Sequence, residues 1–350
     1  MSWGNAVTKI HTTRRGLLRR TAVLAGAATL GAPAIIGTAH AAAVKLKLSS
    51  SQANDPKYAN GRVYYDALKR ALKANNMSEQ IELQFFPDNQ LGQEIDVINS
   101  VKLGVIDLMV TGTSIWANAV PLLGLLDLGY MFSSFAQQTK ALDAGVGSKL
   151  EAALLAGANT RIGGWCYDFG PRCLLTKTLV RGPAELAGKK IRTLPNPVIT
   201  ECLRLMGAAA TPLAFGEVYT ALQAGVLDGV EHNPPTIVAS KLYESAKFFT
   251  ASEHIFGALA CFVSETSFKR MPANLRDGFL DATQKAAIDT RKRGLEAQVE
   301  GTEVLKQQGV TISECDVAAF RARVLPQTEA FAKARPDSKP LIDQIKATTA

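Results

Sequence analysis

Segments with strand-like and helix-like periodicity alternate along most of this chain, and they do so in two successive series. Residues 44–51 read as a strand, 58–73 as an amphipathic helix, 81–86 as a strand, 91–103 as a helix and 106–111 as a third strand. After a helical stretch at 136–155 the series resumes, with strands at 161–167, 189–194 and 226–230 and helices at 197–206 and 217–224. Such alternation predicts an α/β fold of mainly parallel sheets flanked by helices. Two similar series predict two lobes, and the chain is long enough to give each a buried core.

The closing part of the chain has a different texture. From Pro272 to Gln308 helical spacing continues with few breakers, and at 1.5 Å per residue such a helix exceeds the width of one lobe. It is expected to lie across both. Leu275, Phe279, Ala282, Ala286 and Val299 hold no heptad, which argues against a coiled-coil arm and for a monomer.

Residues 1–41 carry Lys9, Arg14, Arg15, Arg19 and Arg20, no acidic residue, an apolar run from Thr21 to Ile36, and Ala39-His40-Ala41. A basic start, a modest apolar run and a small-x-small site predict a cleaved signal peptide and export to the periplasm. Thr13-Arg14-Arg15-Gly16-Leu17-Leu18-Arg19 resembles the twin-arginine (Tat) export pattern. Gly26, Gly31 and Pro33 interrupt the run, which is short for a membrane span. Without this segment the formal net charge of +8 falls to +3, and no Lys/Arg block remains to suggest nucleic acid as a partner.

The five cysteines, Cys166, Cys173, Cys202, Cys261 and Cys315, form no CxxC pair and no zinc-type cluster with histidine. Cys166 and Cys173 would bridge only if their strands adjoin; buried free thiols are the expectation. No metal or cofactor is expected. The chain lacks the glycine fingerprint of dinucleotide binding, a P-loop, H-E-x-x-H and the G-x-S-x-G elbow, and has only four histidines, two of them in the export segment.

Chemistry concentrates between Gly170 and Tyr243. In Gly170-Pro171-Arg172-Cys173-Leu174-Leu175 one arginine sits in an otherwise apolar strand, where a guanidinium must meet an anion. That anion is either a structural Asp or Glu or a ligand carboxylate held through two parallel bonds. Arg192, in Lys190-Ile191-Arg192-Thr193, poses the same choice or is a solvated strand residue. Phe215-Gly216 opens a short helix whose free N–H groups favour a carboxylate. Asp228-Gly229-Val230-Glu231-His232-Asn233-Pro234-Pro235 ends a strand in polar groups, where open α/β sheets place ligands.

Taken in order, L-G-x-E at 91–94, G-P-R at 170–172, L-A-G-K-K-I-R at 186–192, F-G-E-V-Y-T-A-L-Q-A-G-V-L-D-G-V-E at 215–231 and K-L-Y-E at 241–244 resemble the solute-binding proteins of TRAP (tripartite ATP-independent periplasmic) transporters, of DctP type. The resemblance implies a two-lobed fold like that of periplasmic binding proteins, with lobes at 44–169 plus 258–297 and 170–257 plus 298–350, and hinges near Phe169 and Phe256. It implies a receptor that closes on a small organic acid and delivers it to TRAP membrane permease subunits driven by an ion gradient. Arg172 falls on the family's carboxylate-holding arginine, Arg192 on its assistant and Phe215 on a ring that packs on the ligand. After Glu231 the family commonly has asparagine, whereas this chain has His232 there and Asn233 one later. Ser51 and Gln52, at the end of the first strand, and Trp165, Tyr167 and Phe169 are further candidate walls. Val110-Thr111-Gly112-Thr113 offers small residues where sialic-acid binders carry charge, which points to a smaller monocarboxylic or dicarboxylic acid, whether a hydroxy, keto or sugar acid. The competing expectations are a periplasmic enzyme and a sensory ligand-binding protein using the same cleft.

Overall fold

Apart from Met1, the computed structural model describes residues 42–166 and 169–348; the rest of the expected export segment and Tyr167 lie outside them. The first sheet holds β1 (Val44–Ser49), β2 (Ile81–Phe86), β3 (Leu108–Gly112), β4 (Thr160–Trp165) and β10 (Leu259–Ser264), in the order β2-β1-β3-β10-β4. The second holds β5 (Arg172–Thr176), β6 (Lys190–Thr193), β7 (Ala209–Pro212), β8 (Gly229–His232), β9 (Phe248–Ile255) and β11 (Thr311–Ser313), in the order β11-β9-β5-β8-β6-β7. The two-lobed α/β architecture is therefore present.

Both sheets are mixed, for one topological reason. The chain passes from the first sheet to the second between β4 and β5, and returns between β9 and β10. Each crossing delivers a strand running against its new neighbours: β5 is antiparallel to β8 and β9, and β10 to β3 and β4. Where the crossings pass each other only glycine fits. A methyl group on Gly170 would come within 2.6 Å of the Gly257 nitrogen, and one on Gly257 within 2.6 Å of the Phe169 oxygen. The Gly170–Pro171 peptide is cis.

Helix α1 (Asn60–Ala74) buries Tyr64, Ala67, Leu68, Ala71 and Leu72, a stripe at helical spacing that covers the first sheet. Helix α2 (Glu94–Leu103) stops at Gly104, whose φ of 76° is left-handed. The expected helix over 136–155 is interrupted at Gly145, where φ is 113°, and resumes as Gly147–Ala158. Helix α3 (Pro197–Met206) is capped by Asn196, whose side chain accepts from Val198 N and Ile199 N.

The long helix is present as α4 (Ala273–Gln307), about 50 Å of continuous helix. It reaches the first sheet through Gly163 and Gly164 of β4, which leave room for Thr283 and Ala287; Thr283 Oγ1 donates to Gly163 O at 2.8 Å. Its other half buries Leu305 in the core beneath β5 and β8, and Gly301 meets Pro234 and Pro235. Among the described residues no helix is long and apolar enough to cross a membrane. All five cysteines are free thiols. Cys166 follows β4 and Cys173 lies in β5, strands of different sheets, so the adjacency a bridge would need does not arise.

Candidate functional site

Polar residues gather where the carboxyl ends of β1, β3, β6 and β8 meet the start of β5. Ser51, Gln52, Glu94, Phe169, Arg192, Leu194, Phe215 and His232 line a narrow cavity of about 10 Å³. Five of these lie on the second sheet or the segments leading to it and three on the first, so the cavity is shared between the sheets.

Arg192 is fully buried in β6. Its Nε donates to Leu213 O at 2.9 Å, while Nη1 and Nη2 have no partner. Burial lowers its pKa to about 10. The Phe215 ring stands 5.6 Å from the guanidinium, a cation–π spacing that leaves the guanidinium edge free. A fully buried cation with two unused donors is costly unless an anion arrives.

Arg172 is also fully buried, but its charge is already answered. Nε and Nη2 donate to the two carboxylate oxygens of Glu231, the second at 2.8 Å, and Nη2 also reaches Glu231 O at 3.1 Å. The structural glutamate that the sequence left open as a partner is present. Only Nη1 is left without a partner. His254 Nε2 lies 3.6 Å from the same carboxylate, and its Nδ1 lies 2.9 Å from Ser252 Oγ. Burial would raise the Glu231 pKa, but Arg172 and His254 hold it at about 2.

His232 stands between two rings, with centroids 5.1 Å from Phe169 in an edge contact and 5.7 Å from Phe215. Burial and then Arg172 push its pKa far below the usual range, so it is neutral. Its Nδ1 is 2.7 Å from Asn233 Oδ1, which leaves Asn233 Nδ2 as a buried unpartnered donor. Thus His232 lines the cavity and Asn233 lies behind it. The small residues of β3 have a packing role here: a methyl on Gly112 would come within 2.8 Å of the Phe169 ring.

Glu94, at the start of α2, was visible in the sequence only as part of L-G-x-E. Its Oε1 accepts from Ser51 Oγ at 3.0 Å and Thr111 Oγ1 at 2.7 Å, leaving Oε2 without a described hydrogen bond. Gln52 Oε1 accepts from Gly61 N, and its Nε2 donates to Thr236 Oγ1 at 3.2 Å, in the short helix Pro234–Ala239. Trp165 is outside the lining: at the end of β4 its indole Nε1 lies against Gly147 of the helix covering that face of the sheet. A larger groove between α3 and Pro326–Phe331 is mostly apolar and carries no cation.

A cavity shared by two sheets joined by crossing strands, with a buried cation whose donors are unpartnered at its wall, has the geometry of a solute-binding site. A model described as bacterial extracellular solute-binding protein, family 7 (DctP) matches residues 58–334, and the chain belongs to that family. Its members are binding receptors for transporters and not enzymes. The chain is 27% identical over 289 residues to the 2,3-diketo-L-gulonate-binding periplasmic protein YiaO of Escherichia coli, covering 82% of this chain and 86% of that one. Among solved structures it is similar to a TRAP periplasmic solute-binding protein of Roseobacter denitrificans with bound β-D-glucuronate, at TM-score 0.82 and 26% identity over 87% of this chain and 100% of that one. A TRAP periplasmic solute-binding protein of Polaromonas sp. JS666 bound to D-erythronate gives TM-score 0.81 and 28% identity over 87% and 99%.

Proposed function

We propose that this chain is a periplasmic receptor for a polyhydroxylated monocarboxylic acid, which it encloses between lobes 44–169 plus 258–297 and 170–257 plus 298–350 and delivers to a TRAP permease. The observation that carries the reading is the pair of unpartnered Nη groups on buried Arg192 at the cavity wall. They take the carboxylate through two parallel bonds, and Arg172 Nη1 and Asn233 Nδ2 are further buried donors without a partner nearby. Phe169, Phe215 and the neutral His232 supply flat apolar walls.

Glu94 decides the rest of the ligand. A carboxylate offers acceptor oxygens and negative charge, so Oε2 of Glu94, which has no hydrogen bond among the described residues, favours hydroxyl groups over a second carboxylate. Glucuronate and erythronate, bound in two of the similar structures, are hydroxylated monocarboxylates. The segment 1–41 acts as the export signal and is removed. Closure follows from contacts that a ligand makes with both lobes at once, which shift the population toward the closed form. Its hinges are the two crossings at Gly170 and Gly257.

The test is thermal unfolding with D-glucuronate, D-galacturonate and D-erythronate set against succinate and malate. A ligand of the folded state at a hundredfold excess over its Kd stabilises by about 2.7 kcal/mol. Hydroxylated monocarboxylates should raise Tm and the dicarboxylates leave it unchanged; a response to the dicarboxylates alone overturns the reading.

A further inference from the structure

Ser51 and Gln52 belong to a strap, residues 51–58, that leaves β1 at the cavity and runs outward to the long helix. Its tip is a built turn, with Asp55 Oδ1 accepting from Lys57 N at 2.7 Å and Tyr58 N at 2.9 Å. At that tip the strap is fastened to α4. Lys57 Nζ is 3.2 Å from Glu300 Oε2, and Arg293 Nη2 donates to Lys57 O at 3.1 Å. Arg293 in turn grips both Glu300 oxygens, at 3.0 and 2.9 Å. Glu300 neighbours Gly301, the residue on which Pro234 and Pro235 rest, immediately after His232 and Asn233. One turn of helix therefore touches the strap from the first sheet and the continuation of the ligand-lining strand of the second.

We propose that Arg293 and Glu300 are positioning residues for solute capture: through Lys57 they fasten the strap that carries Ser51 and Gln52 against the cavity, and this outlying clasp governs solute escape. The role in capture rests on the cavity being the solute site. The clasp itself does not.

The clasp is charged and partly exposed, so salt screens it while the hydrogen bond from Gln52 to Thr236 is spared. Hydrogen exchange of the strap amides, without added ligand, reads its fastening on the full chain. Between about 0.01 M and about 1 M salt the screening length falls from roughly 30 Å to roughly 3 Å. Wild-type strap exchange should quicken roughly 3- to 10-fold over that range, the size expected of a small network of partly exposed pairs. Glu300→Gln should exchange fast at both, and Lys57→Arg should behave as wild type, with the amides of β5 unchanged throughout. Equal strap exchange in wild type and Glu300→Gln, with equal salt response, overturns the clasp. Dissociation of D-glucuronate, followed in parallel, should quicken in Glu300→Gln; strap exchange that responds without any change in dissociation overturns the role in capture. Failure of every hydroxylated acid to bind overturns the solute reading and leaves the exchange result standing.

Discussion

Arg172 meets Glu231 through two parallel bonds deep beneath the cavity, and the pair leaves one guanidinium nitrogen unused. The ion pair thus fixes the orientation of the arginine within the fold.

Breaking that pair from one side strands a buried charge. Arg172→Ala should lower unfolding free energy by about 3 to 5 kcal/mol, and Arg172→Ala with Glu231→Ala should recover part of it, measured by urea unfolding. A single variant as stable as wild type would show that Glu231 finds another partner. The sign with pH follows from its depressed pKa: the contribution is present above about 4.5 and is lost as pH falls toward about 2.

Arg192 should behave oppositely. No carboxylate among the described residues hydrogen-bonds its guanidinium, so Arg192→Met should leave stability unchanged or raise it by about 1 to 3 kcal/mol. Binding of the solute, read by calorimetry, should weaken roughly 30-fold or more, equivalent to about 2 kcal/mol. Loss of stability without loss of affinity would assign Arg192 to the scaffold.

Asp127 introduces an opposite pH slope. It is fully buried between Ser114 Oγ at 2.5 Å and Asn196 Nδ2 at 3.0 Å, and burial raises its pKa from 3.8 to about 7. A raised carboxyl favours the fold most below its unfolded value, and that contribution is lost as pH rises from about 3.8 through about 7. Three pH units correspond to about 4 kcal/mol as an upper bound. Asp127→Asn should flatten unfolding free energy across this window; an unaltered slope would place the titration elsewhere.

The crossings tolerate no added methyl. Gly170→Ala and Gly257→Ala each drive a Cβ to within 2.6 Å of backbone in the other crossing. Each should destabilise by about 1 to 3 kcal/mol, the range of overpacking, in thermal or urea unfolding. Wild-type stability in both would mean that the crossings slide apart freely.

The sequence made the parallel strand–helix units legible, because β1, α1 and α3 each have one buried face and a period to match. It did not reveal β9 and β10. Every residue of β10 is buried, so no alternation marks the strand and nothing local fixes its direction. Near the cavity, Arg172, Arg192 and His232 were legible from residue type and place on a strand, and Phe215 from its place at the start of a short helix. The engagement of Arg172 by Glu231 was not legible, since it spans fifty-nine positions and leaves no local mark. Glu94 passed as a motif letter because its role depends on Thr111 and Ser51, brought close only by the sheet.

The exchange of strands also orders the birth of the molecule. In the first sheet β4 pairs only with β10, so the sheet cannot be completed before residue 264 has left the ribosome. No shorter N-terminal fragment owns a finished core. Such distant pairing makes folding slow and keeps the nascent chain dependent on protection until three quarters of it exists.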